Sequence, residues 1–224
     1  MLRKSLLAVM VSGLMVAGAQ AAENQVNGYL FGNIGQSDAD ASSVRNELDV
    51  VADDLAGALG FDQGYSSPDE KDSAFKIGAG LQLNKHIAIE FQYLELGDIT
   101  YKARGADSVS GATGQLKATA GTSGFGANLV GTLPFDRFKL FGKVGYHKLE
   151  TDVKASISIT DHPILGSVRE SASDDGSEWV TSYGVGASYA FTPQIELVAE
   201  YERYQDVADE YDVDFGSIGL RYNF

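Results

Sequence analysis

The stretch Asp212-Val213-Asp214-Phe215-Gly216-Ser217-Ile218-Gly219-Leu220-Arg221-Tyr222-Asn223-Phe224 decides how this chain is read. Its even positions Ile218, Leu220, Tyr222 and Phe224 are large and apolar, while Ser217, Gly219, Arg221 and Asn223 between them are small or polar. Side chains alternate across a strand, so this segment has one face suited to lipid and one suited to a polar interior. The same two-sidedness recurs upstream. Phe75, Ile77, Ala79, Leu81 and Leu83 alternate with Lys76, Gly78, Gly80 and Gln82, and Ile87, Ile89, Phe91 and Tyr93 alternate with Ala88, Glu90 and Gln92. Segments 124–131, 140–147, 183–191 and 195–202 repeat the pattern. A first strand near 26–36 leaves two readings open, with either Leu30 and Ile34 or Tyr29 and Phe31 on its outer face. Counting it gives eight strands.

A soluble sandwich also alternates, but three features favour a closed barrel in a membrane. Connections alternate between short and long, as outer-membrane barrels require. The short ones are Asn84-Lys85-His86, 134–137 and Thr192-Pro193-Gln194; the long ones span roughly 37–73, 103–115, 152–177 and 205–211. Aromatic residues cluster where strands cross two interfaces, a depth that amphipathic rings favour. Phe135, Phe138, Phe191, Tyr222 and Phe224 lie beside the short turns, and Tyr93, Tyr101, Tyr146, Trp179, Tyr183, Tyr201 and Tyr204 toward the long connections. The polar faces are rich in Gly and Ser, as a narrow lumen packed by its own side chains demands. The expected fold is all-β: an eight-stranded antiparallel up-and-down transmembrane β-barrel, with a short helix in the first long connection.

The beginning of the chain supplies an address. Arg3 and Lys4 form a positive start, 6–17 is apolar, and Ala19-Gln20-Ala21 has the small-x-small pattern of a cleavage site. The apolar stretch is too short for a spanning helix, which needs about 20 residues. Residues 1–21 therefore read as a cleaved signal peptide and 22–224 as the barrel domain. Removing Arg3 and Lys4 from 17 basic residues leaves 15 against 31 acidic ones, a net charge of −16. Such a chain lacks the basic surface that a general nucleic-acid partner requires. With no cysteine, export is not building a disulfide framework. No later segment is long and apolar enough for a membrane helix, and a barrel is the other structure that satisfies its backbone in lipid.

At this point the chain resembles the transmembrane domain of the outer membrane protein A family. Leu133-Pro134-Phe135-Asp136-Arg137-Phe138-Lys139-Leu140-Phe141-Gly142-Lys143-Val144-Gly145-Tyr146 looks like the family's fourth strand, turn and fifth strand. Ile89-Glu90-Phe91-Gln92-Tyr93-Leu94-Glu95-Leu96-Gly97-Asp98 looks like its third strand. The resemblance covers nearly all of 22–224 and implies a barrel in the bacterial outer membrane. It also implies that Ile218, Leu220, Tyr222 and Phe224 form the signal read by the barrel assembly machinery, with Phe224 on the periplasmic side. The sequence ends at its last strand, so the family's cell-wall tethering role is not carried over.

Three groups of residues are candidates for function. Lys76, Glu90, Lys143, Glu196, Glu200 and Arg221 share the polar parity of their strands and point into the lumen. Charges of both signs in a narrow, partly dehydrated space pair with one another, because an unpaired one is expensive. Such a network is either a static plug or a gate over a thin aqueous path. Val44, Leu48, Val51, Leu55 and Leu59 recur at helical spacing, so the first connection carries an amphipathic helix that packs on its own loops or meets a partner. Acidic residues crowd the remaining connections, among them Asp174, Asp175, Asp206, Asp209, Asp212 and Asp214. None follows the spacing of an EF-hand, and no metal or cofactor site is expected.

An enzyme of this class needs a nucleophile and a base within reach of each other. His86 sits in a short turn, His147 is followed by Lys148 and Leu149 rather than by a His-x-Ser arrangement, and His162 is a connection residue near Asp161 and Ser167. No catalytic residues are assigned. The sequence therefore reads as a monomeric, non-enzymatic, structural or surface-interaction barrel. A small gated diffusion channel is the alternative, and an adhesin or receptor acting through the loops comes after it. Expected partners are outer-membrane lipid and lipopolysaccharide, and the assembly machinery during biogenesis.

Overall fold

The computed structural model describes residues 27–69, 71–208 and 210–224; the signal peptide expected over 1–21 and Val26 lie outside them. In chain order the elements are β1 (Asn27–Asp40), α1 (Ser42–Ala58), β2 (Gln63–Asp69), β3 (Lys71–Asn84), β4 (Ile87–Ala106), β5 (Thr113–Phe135), β6 (Phe138–His162), β7 (Gly166–Ala190), β8 (Ile195–Val207) and β9 (Tyr211–Asn223). Every pairing is antiparallel, and all strands but β2 close a ring of eight in the order β1-β3-β4-β5-β6-β7-β8-β9, with β9 returning to β1. The ninth strand, β2, adds to the far half of β4.

The register fixes the barrel's shape. Stepping across the ring from Tyr29 leads through Gly80, Glu90, Asn128, Gly145, Ser182, Tyr204 and Val213, and arrives back on β1 at Ala39, ten residues further along. A stagger of that size round eight strands tilts them by about 40° from the axis and leaves an interior just wide enough for side chains to fill.

The outward faces set the membrane position. Leu30, Ile34, Ile77, Phe91, Leu129, Val144, Val185, Leu197, Ile218 and Leu220 are all exposed and outward. On β6 the outer face runs Phe138, Leu140, Gly142, Val144, Tyr146 and turns polar at Lys148. That is the roughly 9–11 residues a tilted strand needs to cross the hydrocarbon. Tyr146 and Trp179 are stacked outside the barrel at 4.9 Å between ring centroids, at the level where the faces become polar. The short turns of the other end place Phe135, Phe138, Phe191, Tyr222 and Phe224 in the opposite aromatic belt, all exposed.

On β1, Leu30 and Ile34 face outward while Tyr29 and Phe31 are buried inside, which resolves the two readings of that strand. Two tyrosines assigned to the upper aromatic belt belong elsewhere. Tyr204 is wholly buried in the lumen, because it shares the parity of Glu200 and Glu202. Tyr101 is turned inward by a bulge in β4, where pairing to β5 slips by one residue between Glu95 and Asp98. Gly97 makes the bulge at φ +79, and a Cβ there would lie 2.7 Å from Cβ of Asp72. An extra residue inverts the parity of every side chain that follows it.

Most of the expected long connections are strand. β6 and β7 are each 25 residues long, so the segment 152–177 is a ribbon continuing the barrel wall rather than a loop. With β2, the far half of β4 and the start of β5, it forms a five-stranded sheet standing clear of the membrane on one side of the barrel.

Candidate functional site

The six lumen candidates are all buried and the fold brings them into one network. Lys143 Nζ lies 2.9 Å from Glu200, 3.2 Å from Glu202 and 3.8 Å from Glu90, so it serves three carboxylates on two strands. Lys76 Nζ contacts Glu200 and donates to Glu202 at 2.7 Å. Arg221 donates to Glu90 at 3.0 Å, reaches Glu196 at 3.6 Å, and stacks on the Tyr29 ring at 4.4 Å. Tyr29 completes that corner by donating its hydroxyl to Glu90 at 2.9 Å.

Two members were not singled out from the sequence. Glu202 is wholly buried, and its alternation with Glu200 carries the signal that would have found it. Lys139, two residues before Phe141 on the inward face of β6, pairs with Glu196 at 2.5 Å near the short-turn mouth. Among the described residues, Glu90, Glu196, Glu200 and Glu202 thus face Lys76, Lys139, Lys143 and Arg221, four of each sign.

Apolar layers bracket the core of the network, Lys76, Glu90, Lys143, Glu200 and Glu202, and leave the Lys139–Glu196 pair at the mouth. Toward the short turns, Tyr29, Phe31, Ala88, Val130, Phe141 and Val198 pack together. Toward the far end, Leu94, Leu96, Leu149, Val180, Tyr204 and Phe215 belong to a larger cluster, with Val44 of α1 packed against it. Below the lower layer a vestibule of about 630 Å³ opens at the short-turn mouth beside Tyr29, Lys139 and Glu196. Polar side chains crowd the middle: His147 meets Gln92 at 3.0 Å and the Tyr204 ring edge-on at 5.3 Å.

Helix α1 lies over the mouth and along the inner face of the projecting sheet. Leu48 and Ala52 pack on Tyr101, Ala103 and Leu116, against which Ala118 and Ile157 also pack. Leu55 and Leu59 border a small apolar hollow of about 40 Å³ between the helix and that sheet. Of the five stripe residues, Val51 instead faces solvent, and Leu59 is the cap just past the helix end. Ala52 takes the inward place, because its small side chain lets the helix approach the strands. Gly60 at φ +73 ends α1, with Phe61 N–H donating to Ala56 and Gly60 N–H to Gly57, the pairing of a left-handed helix stop.

Hydrogen bonds fasten this roof. Tyr101 donates to Asp49 at 2.6 Å, and the backbone of Ser108 donates to Asp62 at 3.0 Å. Burial, aided by the Asp49 carboxylate, pushes the Tyr101 phenol up to about 12. The Tyr101 hydroxyl holds the Asp49 carboxyl below the usual range, and Ser108 does the same for Asp62. A carboxylate with a depressed folded value contributes stability above its unfolded value, near 3.9, and loses it as pH falls through the folded value. A fluorophore on Ser43→Cys, unique in a chain without cysteine, should keep constant anisotropy from pH 8 to pH 5 and lose it below about pH 4. A transition near pH 6.5 would show that these acids do not fasten the helix.

The terminal residues Ile218, Leu220, Tyr222 and Phe224 all face outward, and Phe224 N–H donates to Gly28 at 3.0 Å, tying the chain end to β1. Among the described residues no three His, Asp or Glu groups are arranged to hold an ion.

Residues 6–224 match the family described as the outer membrane protein β-barrel domain. No curated protein matches the chain. The structure is similar to that of Ail, the attachment invasion locus protein of Yersinia pestis, in complex with the heparin analogue sucrose octasulfate, at 16% identity over 89% of this chain and 99% of that one, with a TM-score of 0.45. It is also similar to Neisserial surface protein A, at 14% identity over 88% of this chain and 97% of that one, TM-score 0.46. The N-terminal β-barrel domain of Pseudomonas aeruginosa OprF is similar at 11% identity over 89% and 98%, TM-score 0.45. With the match running from residue 6 to the last residue, the chain belongs to the outer membrane protein β-barrel domain family.

Proposed function

We propose that this outer-membrane barrel is a non-enzymatic, monomeric anchor that holds a folded contact surface outside the cell, above a lumen closed by its own side chains. The observation that carries this reading is the division of the molecule. The membrane-spanning part is filled by a neutral charge network interleaved with two apolar layers, and the polypeptide beyond it is spent on a roofed sheet. Family barrels place short turns in the periplasm and longer segments outside, so the sheet and α1 stand on the extracellular side. In this reading residues 1–21 are removed on export, and the outward stripe ending in Phe224 is what the assembly machinery recognises.

One observation favours a second reading, a small gated channel. Asn128, Oε1 of Gln92 and Nδ1 of His147 are buried beside the charges without a hydrogen-bond partner among the described residues, and water entering the lumen would satisfy them. The two readings separate in a porin-depleted host. Expressing the chain should leave uptake of a small hydrophilic solute at the background rate, while intact cells expose the sheet to added protease. Uptake rising in proportion to expression would establish the channel instead.

A further inference from the structure

The projecting sheet has two faces of opposite character. Its inner face is apolar over β4, β5 and β6, where α1 packs on it, and exposed along β7. Its outer face carries Lys102 and Arg104 on β4, Lys117 on β5, Lys154 on β6 and Arg169 on β7, all exposed. Around them lie Tyr65, Ser67, Thr100, Gln115, Thr119, Ser156, Ser158, Ser171 and Ser173, hydrogen-bonding groups without charge, with the acidic position Asp69 opposite Thr100 at the β2 edge. Five of the chain's 17 basic residues thus gather on one patch of a protein whose net charge is −14.

Register places these cations side by side. Lys102 is directly opposite Lys117, Lys154 is opposite Thr119, and Arg169 is opposite Ser158. Four adjacent strands at about 4.8 Å spacing make a patch about 15 Å wide. Like charges directly opposite each other across a sheet destabilise it, so the Lys102–Lys117 pair is a cost that a bound anion removes. Arg104 donates to the Tyr65 hydroxyl at 3.3 Å, and no described carboxylate pairs with any of the five. Asp152 and Asp175, opposite each other, bound the patch on its membrane side.

Position selects the occupant. These residues share the parity of the lipid-facing side chains, so they look sideways over the surrounding leaflet rather than up from the barrel. Lys154 lies eight residues beyond Tyr146 and Ser158 twelve. At about 3.3 Å per residue and 40° of tilt, the cations stand about 20–30 Å above the aromatic belt. That height is above the membrane phosphates and within the saccharide layer of the outer leaflet.

We propose that the outer face of the projecting sheet binds the phosphorylated core saccharide of neighbouring lipopolysaccharide, with Lys102, Lys117 and Lys154 meeting phosphate and the Ser, Thr and Gln side chains meeting sugar hydroxyls. This rests on the reading of the projection as a contact surface and names its partner. The test uses the full chain, refolded in uncharged detergent and titrated by calorimetry with water-soluble, deacylated core oligosaccharide. Parallel arms use the same oligosaccharide stripped of phosphate, a heparin fragment, and the triple variant Lys102→Gln, Lys117→Gln, Lys154→Gln. Heat-shifted gel migration verifies that each sample is folded.

The expected result is binding of the phosphorylated oligosaccharide that weakens at least tenfold on dephosphorylation and in the triple variant. Equal affinities for wild type and triple variant, or for the two oligosaccharides, overturn the proposal. Heparin binding without oligosaccharide binding overturns it too, by assigning the face to a polyanion from outside the cell. Neither failure changes solute uptake, and a conducting barrel would refute the reading of function without altering this titration.

Discussion

Replacing Lys76 by Met should lower the stability of the folded barrel by about 3–5 kcal/mol, the cost of breaking a buried ion pair from one side. Lys76 is wholly buried and holds both Glu200 and Glu202. Without it these two carboxylates share Lys143, which already serves Glu90 as well. Methionine fills the volume but leaves one negative charge uncompensated in a space closed by apolar layers. The loss should be largely recovered by adding Glu202→Gln, which restores neutrality and keeps an acceptor for the Ser182 hydroxyl, 2.9 Å away. Urea unfolding of protein refolded in vesicles measures both. A Lys76→Met barrel as stable as the wild type would mean that the lumen is hydrated enough to screen its charges.

The second large effect comes from a residue with no side chain. Gly80→Ala should destabilise the barrel by about 3 kcal/mol, combining overpacking with loss of a hydrogen bond to a charged acceptor. A Cβ at Gly80 would sit 2.1 Å from Cζ of Tyr29 and 2.5 Å from its hydroxyl. The ring would have to leave Glu90 and the Arg221 guanidinium stacked on it. Conformational entropy alone gives the opposite sign, since alanine in place of glycine ordinarily stabilises a strand by about 0.5–1 kcal/mol. In a Tyr29→Ala background the obstacle is gone, so the same change should become neutral or stabilising, and the double-mutant cycle isolates the contact. A destabilisation that persists without the Tyr29 ring would point to the β3 backbone instead.

The barrel is legible in the sequence where each strand has two unlike faces. Ile218, Leu220, Tyr222 and Phe224 facing lipid, with Arg221 facing inward, follows from parity alone, and so does the burial of Lys76, Glu90, Lys143, Glu196 and Glu200. Parity fails to report where a strand stops once neither face is buried. Residues 166–177 of β7 are exposed on both sides, so no apolar period marks them, and only backbone pairing to β6 makes them strand. The Gly97 bulge is a second blind spot, because one unpaired residue moved Tyr101 from the expected outer belt to the roof under α1. The ion-pair partners were equally hidden. Which glutamate Lys143 meets depends on the ten-residue stagger of the ring, and the answer is three of them.

The most direct test of a barrel plugged by its own charges is single-channel conductance of the refolded chain in a planar bilayer at physiological salt. Wild type should insert without discrete openings, and Lys143→Ala, which removes the lysine shared by Glu90, Glu200 and Glu202, should either stay silent or show only brief flickers. Reproducible wild-type openings whose amplitude changes on neutralising Lys143 or Arg221 would contradict the plug and make the network a gate.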